Sequence, residues 1–156
     1  MITVQRKDFD IAEEYAALRG RAEDAGAVVM FTGLVRELYD SGDQEQGSGS
    51  VRSLFLEHYP GMTEKCLQNI NEQAQQRWPL LATRIIHRVG ELRGQDQIVF
   101  VATASAHRHA AFDSAQFIMD YLKTNAPFWK KQNTDGCSTW VESRQIDQAA
   151  LERWQE

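Results

Sequence analysis

Cysteine is almost missing from this sequence: Cys66 and Cys137 are the only two in 156 residues, far apart and outside any C-x-x-C. That excludes a disulfide framework and a cysteine zinc cluster. Long apolar runs are missing too. Ile98–Ala102 spans five residues, against about 18 for a membrane-spanning helix. The opening MITVQRKDFD lacks the apolar core of a signal peptide. The expectation is a soluble, cytoplasmic protein without membrane partners. An excess of basic charge is absent as well, the formal net charge being −5, which argues against general nucleic-acid binding. Phosphate-loop, dinucleotide, G-x-S-x-G and H-E-x-x-H motifs do not occur.

What is present fits one α+β domain over residues 1–156. Hydrophobic residues make up 42% and charged residues 25%, so a packed core needs no metal or disulfide staple. The negative charge is confined to residues 1–50, with five basic and ten acidic side chains, while the rest is neutral. A local cationic site in the second part is compatible with the overall sign.

The apolar pattern predicts a strand at 2–5, a helix capped by Asp10 and running to about Arg19, and a buried strand over Gly26–Val35. Asp40–Ser50 has no apolar side chain and reads as a flexible surface loop. A strand over Val51–Tyr59 and a helix over Thr63–Arg77 follow, the helix carrying Cys66, Ile70 and Ala74 on one stripe. Strands at Thr83–Val89 and Gln97–Thr103 flank a GELRGQD turn. Ser105 is positioned to cap a long helix to about Thr124. A hairpin around Asn133–Gly136 and a last helix, Asp147–Trp154, complete the chain.

The strongest local chemistry is Ser105-Ala106-His107-Arg108 at a helix start, where backbone N–H groups and a guanidinium favour an anion. A solvated first turn explains it equally well. Lys123, Lys130 and Lys131 form a second cationic cluster among Pro127, Phe128 and Trp129. There a lysine can act as nucleophile or acid/base, or simply complement a helix C-terminus. Arg36 is a third anion candidate. His107 and His109 are two apart on a helix and point away from each other, and His58 and His87 lie on separate strands, so no metal is expected. Arg108 and Lys123 stand about 22 Å apart along one helix. They cannot grip one small ligand from one chain.

The strings FTGLVR (Phe31–Arg36), LEHYPGM (Leu56–Met62), IHRVGEL (Ile86–Leu92), SAHR (Ser105–Arg108), FIMDYLKTNAPFWK (Phe117–Lys130) and WVE (Trp140–Glu142) resemble the MoaE family, the catalytic (large) subunits of molybdopterin synthase. The resemblance runs from about Gly26 to Trp154. It implies an α/β hammerhead-like fold with an additional antiparallel sheet. It also implies sulfur transfer from the C-terminal Gly-Gly thiocarboxylate of a small ubiquitin-like carrier subunit to cyclic pyranopterin monophosphate, which installs the dithiolene of molybdopterin. The implied assembly is a heterotetramer built on a central homodimer, and no cofactor is implied. By motif, Lys123 and Lys130 correspond to the catalytic lysines, and Arg36, His107, Arg108 and Arg144 to substrate-binding positions. Phe31 and Met119 correspond to pocket-lining residues. Leu34 stands where relatives carry a lysine, and Gln132 where an acidic residue is usual. In this reading sulfur comes from the carrier, not from Cys66 or Cys137. A non-catalytic module that binds a ubiquitin-like tail or an anionic ligand is the alternative. A nucleotide hydrolase lacks its motifs.

Overall fold

The computed structural model describes residues 1–36, 53–134, 137–141 and 146–154. The Asp40–Ser50 segment and Arg144 lie outside the described residues. Twelve elements follow in order: β1 (Ile2–Gln5), α1 (Ile11–Arg21), β2 (Ala27–Leu34), β3 (Ser53–His58), α2 (Met62–Arg77), β4 (Leu80–Arg88), β5 (Gly90–Leu92), β6 (Gln97–Ser105), α3 (Arg108–Asn125), β7 (Phe128–Thr134), β8 (Cys137–Val141) and α4 (Ile146–Glu152). They make two four-stranded sheets, ordered β1-β4-β6-β2 and β5-β3-β7-β8. In the first sheet only β1 runs parallel to its neighbour. The second is antiparallel throughout, which is the additional sheet expected above.

Strands β4 and β6 sit at the centre of the first sheet and are buried on both faces, so side-chain alternation feeds two cores. Ile85, Val99 and Val101 face α2 and α3, meeting Leu67, Ile70, Ala74, Phe117, Ile118 and Leu122. Ile86, Phe100, Ala102 and Ala104 face α1, meeting Phe9, Leu18 and Ala22. A third cluster, Val35, Leu54, Leu56 and Leu92, lies on the second sheet, with Ile98 packed against both it and the first cluster.

Helix α1 starts where Asp10 accepts the N–H groups of Ala12 (2.8 Å) and Glu13 (3.1 Å), a side-chain cap for otherwise orphaned donors. Several boundaries differ from expectation. Strand β2 is an edge strand and not a buried one: Met30, Phe31 and Leu34 are exposed. Part of the GELRGQD turn is β5, paired to β3. Ser105 ends β6 and donates its hydroxyl to the Pro79 carbonyl at 3.0 Å, so the N-cap position of α3 falls two residues later, at His107.

Arg84 on β4 is nearly buried and clamps α1 to the sheet. Its guanidinium donates to both Glu14 oxygens (2.6 and 3.0 Å) and to Thr3 Oγ1 (2.7 Å). The hydrogen bond from Arg84 holds the Glu14 carboxyl below its ordinary range despite its partial burial. Removing one partner strands a desolvated charge, so Glu14→Ala is expected to lower unfolding stability by about 3 kcal/mol. The paired change Glu14→Leu with Arg84→Met is expected to cost less. Urea denaturation of the two variants checks both statements.

Candidate functional site

The two ends of α3 carry the candidate chemistry. At its N-terminus, His107 adopts an extended conformation and makes no side-chain cap, and no acidic residue occupies the first turn. The first N–H groups and the positive end of the helix dipole therefore face outward uncompensated. His107 and Arg108 are both exposed there. Gly26 fixes this corner: a Cβ at that position would stand 2.4 Å from the Ala106 carbonyl oxygen. Only glycine lets the start of β2 pass so close to the residue preceding His107.

Phe31 and Met119 both belong to the α3 side of the first sheet. Phe31 pairs with Val101 across β2 and β6, and Val101 is in the core that Met119 packs against. Gly33 makes room here too, since its Cβ would meet Val99 Cγ1 at 2.7 Å and the Phe31 ring at 3.6 Å. Arg36 is exposed just beyond β2. Its neighbour Val35 is held by a donated bond to Asp96 (2.8 Å) and an accepted one from Gln95 (2.9 Å).

At the other end, Lys123 lies in the last turn of α3 and Lys130 on β7, opposite Leu56 of β3. Both are exposed. The connector between these elements is fastened from outside. Thr63 Oγ1 donates to the Pro127 carbonyl (3.1 Å), and Cys66 Sγ donates to the Asn125 carbonyl (3.3 Å). Burial pushes the Cys66 thiol upward, which keeps it a protonated donor and not a thiolate nucleophile.

Two histidines that the sequence reading set apart are brought together here. His58 is opposite Phe128 in the β3–β7 register, and the His87 ring stacks on Phe128 with centroids 3.7 Å apart and planes 15° from parallel. His87 Nδ1 lies 2.8 Å from the Arg88 carbonyl, so Nδ1 carries the hydrogen. Burial, with Lys130 and His58 nearby, pushes the His87 pKa down to about 4, against the opposing pull of its hydrogen bond. No separate residue signal marked His87; it stood inside the IHRVGEL string. On α3, Asp120 accepts the Trp154 indole N–H at 2.9 Å. Among the described residues no group of three or more His, Cys, Asp and Glu side chains could hold a metal ion. No helix there is long and apolar enough to cross a membrane.

One chain thus presents an anion-favouring corner and, about 22 Å along the same helix, a lysine end. Comparison with known proteins agrees over nearly the whole chain. The family described as "MoaE protein" matches residues 4–125. A Vibrio cholerae relative named molybdopterin synthase catalytic subunit is 52% identical over 154 residues, covering 99% of this chain and 97% of that protein. A relative of the same name from Escherichia coli K12 is 54% identical over 153 residues, with 98% and 97% covered. The structure of "molybdopterin cofactor biosynthesis protein E" from Burkholderia multivorans superposes with a TM-score of 0.82 at 51% identity, covering 99% of this chain and 95% of that one.

The buried imidazole makes stability depend on pH. The unfolded chain takes up a proton at its ordinary value of 6.5, whereas the folded chain refuses it until about 4. The His87 contribution is therefore intact above 6.5 and lost as pH falls toward 4, by roughly 3 kcal/mol in total. Chemical denaturation at pH 7 and pH 4 should show a smaller stability loss for His87→Asn than for the wild type.

Proposed function

Because the chain belongs to the MoaE family, we propose that it catalyses sulfur transfer from the C-terminal thiocarboxylate of a small ubiquitin-like carrier subunit to cyclic pyranopterin monophosphate, forming the dithiolene of molybdopterin. The observation that carries this reading is identity of 52–54%, over 98–99% of the chain, to proteins named as the catalytic subunit of molybdopterin synthase. We assign the reaction to the cytoplasm, a reading supported by a sequence that has two cysteines and no disulfide framework.

The geometry supports a division of labour. Arg36, His107 and Arg108, with Arg144, supply forked and ring N–H donors for an anionic, phosphate-bearing substrate. The uncapped start of α3 adds its dipole at the same corner. Lys123 acts beside the carrier tail, activating the thiocarboxylate carbonyl or holding a transient acyl link, and Lys130 is the second catalytic lysine. Phe31 and Met119 line the pocket.

Arg108 and Lys123 stand about 22 Å apart along α3, so they serve one site only where a second copy supplies one of them, and this is the arrangement adopted here. The His107/Arg108 corner of one subunit completes the site holding Lys123 of the other. Exposed apolar side chains on edge strand β2, Met30, Phe31 and Leu34, are consistent with a surface that a partner copy covers.

The decisive assay mixes the protein with thiocarboxylated carrier and cyclic pyranopterin monophosphate under anaerobic conditions and follows product by mass spectrometry. The wild type is expected to form dithiolene product, and Lys123→Ala to retain less than roughly a hundredth of that rate. Carrier bound with its thiocarboxylate intact and no product would instead mark a non-catalytic binding module. For the shared site, Arg108→Ala and Lys123→Ala chains, each inactive alone, should recover part of the activity when mixed and allowed to exchange subunits. No recovery in verified heterodimers would refute the arrangement.

A further inference from the structure

Lys123 precedes Pro127 by four residues and Lys130 follows it by three, so the backbone between them sets where both lysines point. That backbone is gripped from two other elements. Thr63, fully buried in the first turn of α2, accepts the Tyr59 N–H at 3.0 Å and donates to the Pro127 carbonyl at 3.1 Å. A threonine in a first helical turn ordinarily serves backbone groups close by in sequence. This one donates across 64 residues, joining the end of the LEHYPGM string to the middle of the KTNAPFWK string. From β4, in the other sheet, the His87 ring lies flat on Phe128 and is itself locked by its bond to the Arg88 carbonyl. Phe128 and Lys130 are two apart on β7 and so share one face of the sheet.

We propose that Thr63 and His87 are positioning residues for the sulfur-transfer reaction, gripping Pro127 and Phe128 so that Lys123 and Lys130 are presented at fixed spacing and direction. The proposal rests on the catalytic reading of the two lysines given above. Neither residue needs to touch substrate. Each removes a freedom from a short segment whose ends bear long, flexible side chains, and misplacement of reacting groups by about 1 Å costs on the order of a hundredfold in rate.

The test measures kcat and KM per folded molecule, with the folded fraction taken from near-ultraviolet circular dichroism, for Thr63→Val, Thr63→Ser, His87→Leu and Lys123→Ala. Thr63→Val and His87→Leu are expected to lower kcat roughly ten- to a hundredfold while KM for the pterin substrate stays within about twofold. Thr63→Ser keeps the hydroxyl and should return kcat to near the wild-type value. A merely structural role would lower the melting temperature and leave kcat per folded molecule unchanged, and that result for both Thr63→Val and His87→Leu overturns the proposal. Thr63→Ser as impaired as Thr63→Val overturns the part assigned to the hydroxyl. Because His87→Leu acts on the connector from another element, the outcome does not hang on Thr63→Val folding. Full turnover by Lys123→Ala would overturn the lysine reading itself. An inactive Lys123→Ala beside fully active Thr63→Val and His87→Leu would overturn the grip alone.

Discussion

The antiparallel pairing of β4 with β6 is the contact on which the rest of the structure leans. Its ladder runs from Leu80–Ser105 to His87–Val99, and the side chains of the two strands alternate between a core under α2 and α3 and a core under α1. Burial of an aliphatic or aromatic side chain contributes roughly 1.5–3 kcal/mol, and Ile85, Ile86, Phe100 and Val101 are all fully buried. Both edges of the first sheet hang on this pair, β1 on β4 and β2 on β6. Strand β4 also delivers His87 to Phe128, linking the first sheet to the second.

The register of β6 carries directly into the candidate chemistry. Ala106 and His107 alone separate the end of β6 from the start of α3, so the place where His107 and Arg108 emerge follows from where the ladder stops. Ser105 reinforces that stop through Pro79, and Gly26 lets β2 close against Ala106. From there α3 lies across the sheet on Phe117, Ile118 and Leu122. Its far end is handed to β7 through a connector held by α2. The anion-favouring corner and the lysine end are thus placed by the same buried strand pair, through one rigid rod.

Much of this was legible in the sequence, because the long signals are local. Asp10 predicted its helix by cap chemistry, and the stripe through Ile70 and Ala74 predicted α2. The 128–142 segment predicted a hairpin from its turn residues. Burial depends on neighbours that no local pattern names. The β-branched run in Gly26–Val35 reads as a core strand, yet β2 lies at a sheet edge and leaves Met30 and Phe31 exposed. Ser105 has the chemistry of a cap, but a carbonyl 26 residues away in sequence claims its hydroxyl. Among the site residues, the anion corner could be reasoned from a helix start plus Arg108, whereas Lys123 and Lys130 were legible as part of a cationic cluster with Lys131 and were given catalytic roles only by the family resemblance. The meeting of His58, His87 and Phe128, and the reach of Thr63 to Pro127, are products of tertiary pairing between β3, β4, β7 and α2.

Helix α3 also sets a phase. Each residue in an α-helix advances the chain 1.5 Å and turns it by about 100°, so Arg108 and Lys123 are related by rotation as well as by distance. Deleting one residue between them would barely shorten the rod but would swing Lys123 a quarter-turn or more around it, away from the connector that receives it. Substitutions along α3 are graded by the packing they disturb, whereas insertions and deletions are all-or-none unless they come in near-whole turns. Length variation in such a protein is therefore channelled into its loops, and this helix behaves as a gauge of fixed calibre.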